Sequence, residues 1–198
     1  MIGKNWWLVP AFAVAASLGG CKPSEEIRTY TVDDAPAPVA KAPSDDAKMR
    51  MLAGVIPLSD KTSYFVRFLG PIDAVSPREA EFDAFFDSIR LTDDPKRPLT
   101  WTVPPGWKVG KPRDKRLVTL NVDGAKGVEM YVSDAFGGSL LENVNRWRTS
   151  FLGLKAADAV ELEALARPVM LGDKKAFRFD LRGPGGSGVM PGAGAGTN

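Results

Sequence analysis

Apolar segments joined by short polar turns recur along the middle of the chain, and they restrict it to folds built on β-hairpins. The first two segments, Met49 to Leu58 and Thr62 to Leu69, are separated only by Ser59-Asp60-Lys61. Two apolar runs on either side of such a short turn are typical of adjacent antiparallel strands. We therefore expect the folded body to begin with a hairpin.

The same pattern predicts two more hairpins further along the chain. Apolar residues alternate with polar or smaller ones on both sides of the Asp123-Gly124 turn, and again near Gly172-Asp173-Lys174-Lys175. Because successive side chains of a strand point to opposite faces, this alternation indicates antiparallel strands. The residues concerned are Val118, Leu120, Val122, Val128, Met130 and Val132 at the first turn, and Val169 to Leu171 with Ala176 to Leu181 at the second.

Three helices are predicted between the strands, each with a start signal. Ser76-Pro77-Arg78-Glu79 supplies an N-cap serine, a proline at the first helical position and the glutamate of a capping box. Ser139 to Glu142 repeats the capping-box pattern, and Asp158 to Ala166 is a shorter helix with Glu161 at the capping position. The buried stripes are Phe82, Phe85, Phe86 and Ile89 in the first helix, and Leu140, Val144, Trp147 and Phe151 in the second, which Gly153 ends.

Hairpins interleaved with helices predict the α+β class, with an antiparallel sheet and helices packed on it. A chain of 198 residues suits one domain of moderate size, which we place at residues 48–182. Residues 21–47 are rich in proline, alanine and paired acids, and we expect a tether interrupted by an edge strand at 27–32. The glycine-rich segment 183–198 has no periodicity, and we expect it to be a disordered tail.

The chain has no histidine and one cysteine, and these absences exclude several kinds of site. Histidine acid/base chemistry, Ser-His and Cys-His nucleophile pairs, histidine-ligated metals, internal disulfides and multi-cysteine zinc sites are ruled out together. A formal net charge of +2 is too small to indicate nucleic-acid binding. We expect no metal, no cofactor and no nucleic-acid partner.

The N-terminus has the pattern of a targeting segment. A lysine precedes Trp6 to Leu18, an apolar stretch that is too short to span a bilayer and has the length of a signal-peptide core. Leu18-Gly19-Gly20-Cys21 resembles the lipobox of bacterial lipoproteins. The resemblance implies removal of residues 1–20 and acylation of the Cys21 thiol, which anchors the folded domain to an envelope membrane outside the cytoplasm. Lys22 favours the outer membrane, and the alternative is an ordinary secretory signal.

Several motifs of the body resemble a known superfamily. They are Ser63 to Pro71, Phe82 to Ile89, Trp101 to Trp107, Arg116 to Leu120 and Asn143 to Arg148. Together they are similar to uncharacterised bacterial lipoproteins whose bodies are like the PsbP-like α/β sandwich, named after a photosystem II extrinsic subunit. The resemblance implies a non-enzymatic binding or assembly module without catalytic residues. In that superfamily the tyrosine strand and the Phe-rich helix follow the P-x-x-W opening, whereas here they precede it, which implies either a permuted or a two-lobed variant.

The first candidate site is the loop from Trp107 to Arg116. The chain leaves a predicted strand at Leu99 to Val103, turns at Pro104-Pro105-Gly106, and then carries five basic residues against Asp114. A basic loop beside an aromatic residue is suited to anionic headgroups, acidic glycans or an acidic protein face. The alternative is a solvated loop with Trp107 in the core. The basic residues are Lys108, Lys111, Arg113, Lys115 and Arg116.

The second candidate is the helical segment Asn143 to Arg148. Asn143 lies three residues before Arg146, and Asn145 lies three before Arg148, so two Asn/Arg pairs flank the buried stripe. Guanidinium groups bind carboxylates and phosphates bidentately. The alternative, which we favour, is structural, with the arginines paired to Glu142 or to a residue of the sheet.

Acidic residues of the Phe-rich helix are a third candidate. Two carboxylates are able to do acid/base work or to bind Ca²⁺, but the spacing here lacks the pattern of a calcium loop. We therefore interpret the acids as a solvated helix face opposite the phenylalanines. They are Glu79, Glu81, Asp83 and Asp87.

These observations favour a lipid-anchored, non-catalytic envelope protein. Its expected role is to bind or assemble another envelope component, a protein or an acidic polymer, through the basic loop. One alternative is a small histidine-free envelope enzyme that uses Lys, Asp, Glu or Ser groups. The other is a carrier of an apolar ligand, which requires an internal cavity lined by Phe82, Phe86 and Trp147.

Overall fold

The computed structural model describes residues 46–124 and 128–187 of the chain. The predicted signal peptide, Cys21, the edge strand at 27–32 and the tail from residue 188 lie outside the described residues. Within them, the fold belongs to the α+β class, as the pattern of hairpins and helices predicts.

Antiparallel strands form the centre of the described body. In chain order they are β1 (Met49–Ser59), β2 (Thr62–Pro71), β3 (Arg90–Leu91), β4 (Leu99–Thr100), β5 (Trp107–Val109), β6 (Arg116–Val122), β7 (Glu129–Ser133), β8 (Phe136–Gly137), β9 (Arg167–Leu171) and β10 (Lys174–Gly183). The main sheet has the order β5-β6-β7-β2-β1-β10-β9, β8 pairs with β2, and β3 pairs with β4. The three predicted hairpins, β1–β2, β6–β7 and β9–β10, are confirmed. The predicted strand at 99–103 is shorter than expected, because only Leu99 and Thr100 pair.

Helical segments follow β2 and β8. After β2 come α1 (Ile72–Val75), a 3-10 turn (Ser76–Arg78) and α2 (Glu79–Asp87). After β8 come α3 (Leu140–Arg146), a π-helical turn (Trp147–Phe151) and α4 (Ala159–Leu165). In the described ranges, no helix has the length and apolar character needed to cross a membrane.

Alternate residues of β1 belong to two different cores, which places the cores on opposite faces of the sheet. The core against α2 includes Leu52, Ile56, Val66, Phe68, Phe82, Phe85, Phe86 and Ile89. The core against α3 and the π-helical turn includes Met51, Ala53, Val55, Phe65, Val144, Trp147, Phe179 and Leu181. The first predicted helical stripe is buried, and in the second Val144 and Trp147 are buried while Leu140 and Phe151 are half-buried against the same core. Phe82 and Phe86 lie on the other side of the sheet from Trp147. The three side chains therefore do not line one cavity.

Gly54 shows how closely α2 packs on β1. A Cβ atom at this position would overlap the ring of Phe86. The Phe86 ring therefore occupies the space that a larger side chain at position 54 would need. The absence of a side chain at Gly54 lets α2 lie close to the sheet.

The predicted start of the Phe-rich helix is wrong. The chain is already helical from Ile72, and Ser76 follows the last residue of α1 instead of capping a new helix. α2 begins at Glu79 after Arg78, with no side-chain cap hydrogen bond. Burial of Val75 in the core favours a helical turn ahead of Ser76. A capping pattern depends only on neighbouring residues, so it does not predict a helix that tertiary burial stabilises.

The other two helix starts are confirmed. The Glu142 N–H donates to the Ser139 hydroxyl oxygen at 3.2 Å, and the Ser139 N–H donates to the Glu142 carboxylate at 2.7 Å. At α4, the Glu161 N–H donates to the Asp158 carboxylate at 2.8 Å. Gly153 has a φ of +67°, which suits a glycine just after the π-helical turn.

The folded body extends past the predicted boundary at residue 182. Gly183 is the last residue of β10, and the N–H groups of Gly185 and Gly186 donate to the carbonyls of Leu152 and Phe151 at 3.1 and 2.9 Å. A Cβ atom on Gly183 or Gly186 would overlap a backbone carbonyl of the adjacent turn. The sequence therefore predicts the tail too early, because glycine residues up to Gly186 allow close backbone packing and belong to the folded body.

Candidate functional site

The acidic side of α2 faces charged residues of the sheet, which corrects the predicted solvated face. Arg50 of β1 is 2% exposed, and it donates from Nε and Nη2 to the Asp180 carboxylate of β10 at 2.8 and 2.7 Å. Its Nη2 also donates to Glu79 Oε2 at 2.6 Å. The hydrogen bond to Asp180 raises the pKa of Arg50 in spite of burial, so this arginine is held as a cation.

Arg178 of β10 continues this ionic cluster, which consists of Arg50, Arg178, Glu79, Asp83 and Asp180. Its Nη2 donates to Glu79 Oε1 at 3.0 Å, and its Nε donates to Asp83. Burial raises the pKa of Glu79, but hydrogen bonds from Arg50 and Arg178 outweigh it and hold that pKa below its usual value. At Asp180, burial raises the pKa, but hydrogen bonds from Arg50 and Arg182 likewise outweigh it and hold that pKa below its usual value. The cluster therefore joins α2 to β1 and β10 and has a structural role.

Part of the predicted basic loop is engaged within the fold. Trp107 is 6% exposed, lies in the core against α2, and donates its indole N–H to the Glu81 carboxylate. Lys108 forms an exposed ion pair with Asp123 at 2.9 Å. Trp107 is thus placed in the core, as the alternative interpretation of this loop expects. After Glu79 and Asp83, Glu81 is the third acid of α2 that bonds to another side chain.

The rest of the loop supplies positive charge near β7. Arg113 and Arg116 both donate to Glu129 Oε1, at 3.0 and 2.7 Å, so one buried carboxylate orients two guanidinium groups. Lys111 and Lys115 are exposed. The loop thus contributes Arg116 to the sheet surface and presents two lysines to solvent beside it.

Of the two predicted Asn/Arg pairs, Asn143 with Arg146 forms and Asn145 with Arg148 does not. Arg146 Nη2 donates to Asn143 Oδ1 at 2.7 Å. Arg148 instead donates to Glu161 of α4 at 2.8 Å, which ties the two helices together. The predicted pairing of these arginines with Glu142 is wrong, because the Glu142 carboxylate completes the N-terminal capping box of α3.

Arg67 is a candidate that the motif analysis did not single out. It lies in β2 between Phe65 and Leu69, at a position where alternation predicts an apolar side chain on the face toward α3. It is 8% exposed, and its Nε is buried without a hydrogen-bond partner among the described residues. Burial lowers the pKa of Arg67, repulsion from Arg116 and Arg146 adds to this effect, and attraction to Glu129 opposes it only in part.

Two aromatic rings hold the Arg67 guanidinium. Its Cζ atom lies 4.3 Å from the ring centroid of Phe151 and 4.9 Å from that of Tyr131, its cross-strand neighbour on β7. Cation–π contacts stabilise a cation without neutralising it. The buried guanidinium therefore keeps its positive charge next to the two rings.

Two further arginines act on Arg67, Arg116 through the shared Tyr131 ring and Arg146 through electrostatic repulsion. The Cζ atom of Arg116 lies 4.0 Å from the ring centroid of Tyr131, so two guanidinium groups contact the same ring. The Cζ atom of Arg146 lies 5.0 Å from the ring centroid of the exposed Phe136. We call this surface the arginine face, and its members are Arg67, Arg116, Arg146, Tyr131, Phe136 and Phe151.

The arginine face lies where the helices leave the sheet uncovered. The core against α3 draws its strand residues from β1, β2 and β10, and no described residue of β6 or β7 belongs to it. Cross-strand pairing with Arg67 and Leu69 puts Tyr131 and Glu129 of β7 on this face, and pairing across β6 adds Thr119 and Asn121. These side chains are polar or amphipathic. Thr119 and Glu129 are buried and accept hydrogen bonds from Arg116, whereas Tyr131 is half-buried and Asn121 is exposed.

The structure brings together two of the residues predicted from sequence, Arg116 from the loop and Arg146 from α3. Asn143 positions Arg146. The sequence motifs did not predict Arg67, which lies at the centre of the site. The described part of the chain contains no group of three or more acidic, histidine or cysteine side chains placed to hold a metal ion. The chemistry that this arrangement offers is electrostatic recognition of an anion.

Replacement of Asp180 by asparagine tests the ionic cluster. Because the variant weakens charge-assisted hydrogen bonds to a buried arginine, we expect it to lower the free energy of unfolding by about 1.5–3 kcal/mol at pH 7. The depressed pKa values of Asp180 and Glu79 contribute stability above about pH 4–5, and this contribution is lost as the pH falls through the folded-state values. Urea unfolding from pH 7 to pH 3 should therefore show a shallower loss of stability in Asp180→Asn. Asp60→Asn, in the exposed β1–β2 turn, should follow the wild type, and equal pH profiles for all three proteins would contradict the assignment.

Replacement of Arg67 by methionine distinguishes a binding residue from a structural one. The substitution removes a desolvated charge that has no ion-pair partner among the described residues, so the free energy of unfolding should stay within about 1 kcal/mol of the wild type or rise. Arg50→Met should lower it by about 3 kcal/mol, because Asp180 then keeps only its longer contact with Arg182 and Glu79 keeps only Arg178. Denaturant unfolding of both variants gives the comparison. A loss in Arg67→Met as large as that in Arg50→Met would assign Arg67 a structural role.

Comparisons with known proteins do not indicate what the arginine face binds. No protein-family model, curated protein or solved structure matches the chain. What the site binds must therefore follow from the side chains that form it.

Proposed function

We propose that the protein is a lipid-anchored, non-catalytic module of the bacterial envelope that binds an acidic envelope component through the arginine face. The observation that carries the proposal is Arg67, a buried guanidinium with an unpartnered Nε and no ion pair among the described residues. Burial of an unpaired charge costs stability, and a native protein ordinarily pairs such a charge. An anionic group supplied by another molecule would give this arginine the ion pair that the described residues do not provide.

Charge around Arg67 supports the same proposal. Arg116 and Arg146 add positive charge, and the exposed Lys111 and Lys115 extend it along the β5–β6 loop. Glu129 is shared between two arginines, so its single carboxylate does not balance the surface. A surface of this sign attracts acidic partners and accelerates their association.

We further propose that the body is a PsbP-like sandwich with a permuted strand order. The arguments are the antiparallel sheet, the helices packed on both of its faces, and the position of β2 and the Phe-rich α2 before the segment Trp101 to Trp107. The envelope location rests on the lipobox-like Leu18-Gly19-Gly20-Cys21. The assignment as a binding module rests on the arginine face.

The lipid anchor is tested at Cys21. Because this is the single thiol of the chain, cells that express the protein should incorporate labelled palmitate into the wild type and not into Cys21→Ala. An immunoblot of the same fractions controls for the amount of protein. Label that persists in Cys21→Ala would contradict acylation at this residue.

The binding face is tested by cross-linking in intact cells. A photo-reactive amino acid at Phe136 or Asn121 lies on the arginine face, whereas the same group at Ala84 or Asp87 lies on α2, on the other side of the sheet. We expect one or more defined adducts from the first pair and none of them from the second. Since the contact is electrostatic, Arg146→Glu should weaken the adducts at position 121, and the charge-matched control Arg97→Glu should not.

Two results would contradict the proposal. One is the same adducts from both sides of the sheet, and the other is an adduct at position 121 that is unaffected by Arg146→Glu. Either result would remove the arginine face as the contact surface, even if the protein is acylated.

A further inference from the structure

We propose that the arginine face takes a phosphate monoester, with Arg67 as its central contact and Arg116 and Arg146 as flanking contacts. The inference rests on the proposed function, because it uses the same face, and it adds the chemical class of the ligand. It follows from three features of the site, which are the free donors of Arg67, the excess of positive charge, and the aromatic rings around it.

The first feature is the set of hydrogen-bond donors on Arg67. A guanidinium carries five N–H donors in a planar fork that matches the spacing of phosphate and carboxylate oxygens. The Nε of Arg67 is buried without a partner, while its terminal nitrogens are not among the fully enclosed, unpartnered atoms of the described residues. Its terminal nitrogens are the donors that this proposal assigns to the ligand, and the rings of Phe151 and Tyr131 hold the guanidinium in place.

The second feature is the amount of charge. Arg67, Arg116 and Arg146 are close enough for each flanking arginine to repel the first. Glu129 is the nearby carboxylate, and it is already shared by Arg113 and Arg116. A phosphate monoester carries a charge of about −1.5 to −2 at pH 7 and three acceptor oxygens, which is enough to bridge more than one guanidinium. A carboxylate, with one charge and two oxygens, satisfies one fork and leaves the repulsion between the others.

The third feature is the aromatic surround. Tyr131 and Phe151 are half-buried and Phe136 is exposed, so apolar surface lies next to the cationic groups. Such surface favours an ester with an organic group over inorganic phosphate alone. The same headgroup chemistry occurs in a soluble phosphate ester and in a phospholipid with a terminal phosphate, and the test separates the two sources.

The test uses the full chain purified in detergent. Thermal unfolding and calorimetric titration are followed with inorganic phosphate, with glycerol 3-phosphate, and with detergent micelles that contain either phosphatidic acid or phosphatidylcholine. Arg67→Met removes the central contact. Arg97→Met removes one exposed positive charge on the β3–β4 loop and is the matched control.

We expect phosphatidic acid or glycerol 3-phosphate to raise the melting temperature of the wild type and of Arg97→Met. Arg67→Met should bind the same probe roughly ten- to a hundredfold more weakly, as the loss of charge-assisted hydrogen bonds implies. Binding of glycerol 3-phosphate as tight as that of phosphatidic acid identifies a soluble ester, and binding of phosphatidic acid alone identifies a lipid headgroup. If Arg67→Met does not fold, Arg67→Lys keeps the charge but loses the fork, and it should weaken binding in the same direction.

The inference is overturned if no monoester probe binds the wild type, or if Arg67→Met or Arg67→Lys binds as tightly as the wild type. Phosphatidylcholine micelles that give the same shift as phosphatidic acid would also overturn it, since a phosphodiester then suffices. These outcomes are distinct from failure of the proposed function. Charge-dependent adducts at position 121 in cells, together with no binding of phosphate monoesters, would leave the binding module intact and remove only this ligand class.

Discussion

The structure depends on burial of the β1–β2 hairpin on both of its faces. Side chains alternate along a strand, so a hairpin covered on both sides must carry apolar residues at successive positions. α2 covers one face, while α3 and the π-helical turn cover the other, and β10 and β7 pair with the two outer edges. A charged side chain in these two strands is thus placed in an apolar environment. The strands contain two, Arg50 and Arg67.

These two arginines have similar burial and opposite surroundings. Arg50 faces α2 and is matched by two carboxylates, so its charge contributes to the attachment of the helix. Arg67 faces the other side and is held by aromatic rings without a carboxylate partner among the described residues. Because desolvation of an unpaired charge opposes folding, the fold gains less from Arg67 than from an apolar residue of similar volume. This difference is the physical basis for assigning Arg50 a structural role and for proposing a binding role for Arg67.

Local patterns predicted the parts of this fold that depend on local energetics. The hairpins follow from alternation and turns, and the start of α3 follows from the reciprocal hydrogen bonds of Ser139 and Glu142. The acidic face of α2 was misjudged because its partners are distant in sequence, with Arg178 located 99 residues after Glu79. Arg67 carried a usable signal, since it interrupts an apolar series between Phe65 and Leu69, but a lone arginine in a strand does not reveal whether a carboxylate faces it.

The division of the sheet explains how one small domain combines stability with an exposed charged site. The half formed by β1, β2 and β10 is covered by α3 and the π-helical turn, and it supplies the second core. On this face, β6 and β7 carry polar side chains, and Glu129 accepts hydrogen bonds from Arg113 and Arg116 but none from Arg67 among the described residues. Arg67 lies on the last strand before this boundary, so it is buried by Phe151 on one side and adjoins Tyr131 on the other. The proposed binding of an anion at that boundary follows from this placement, because partial desolvation strengthens the attraction between the cation and an anion.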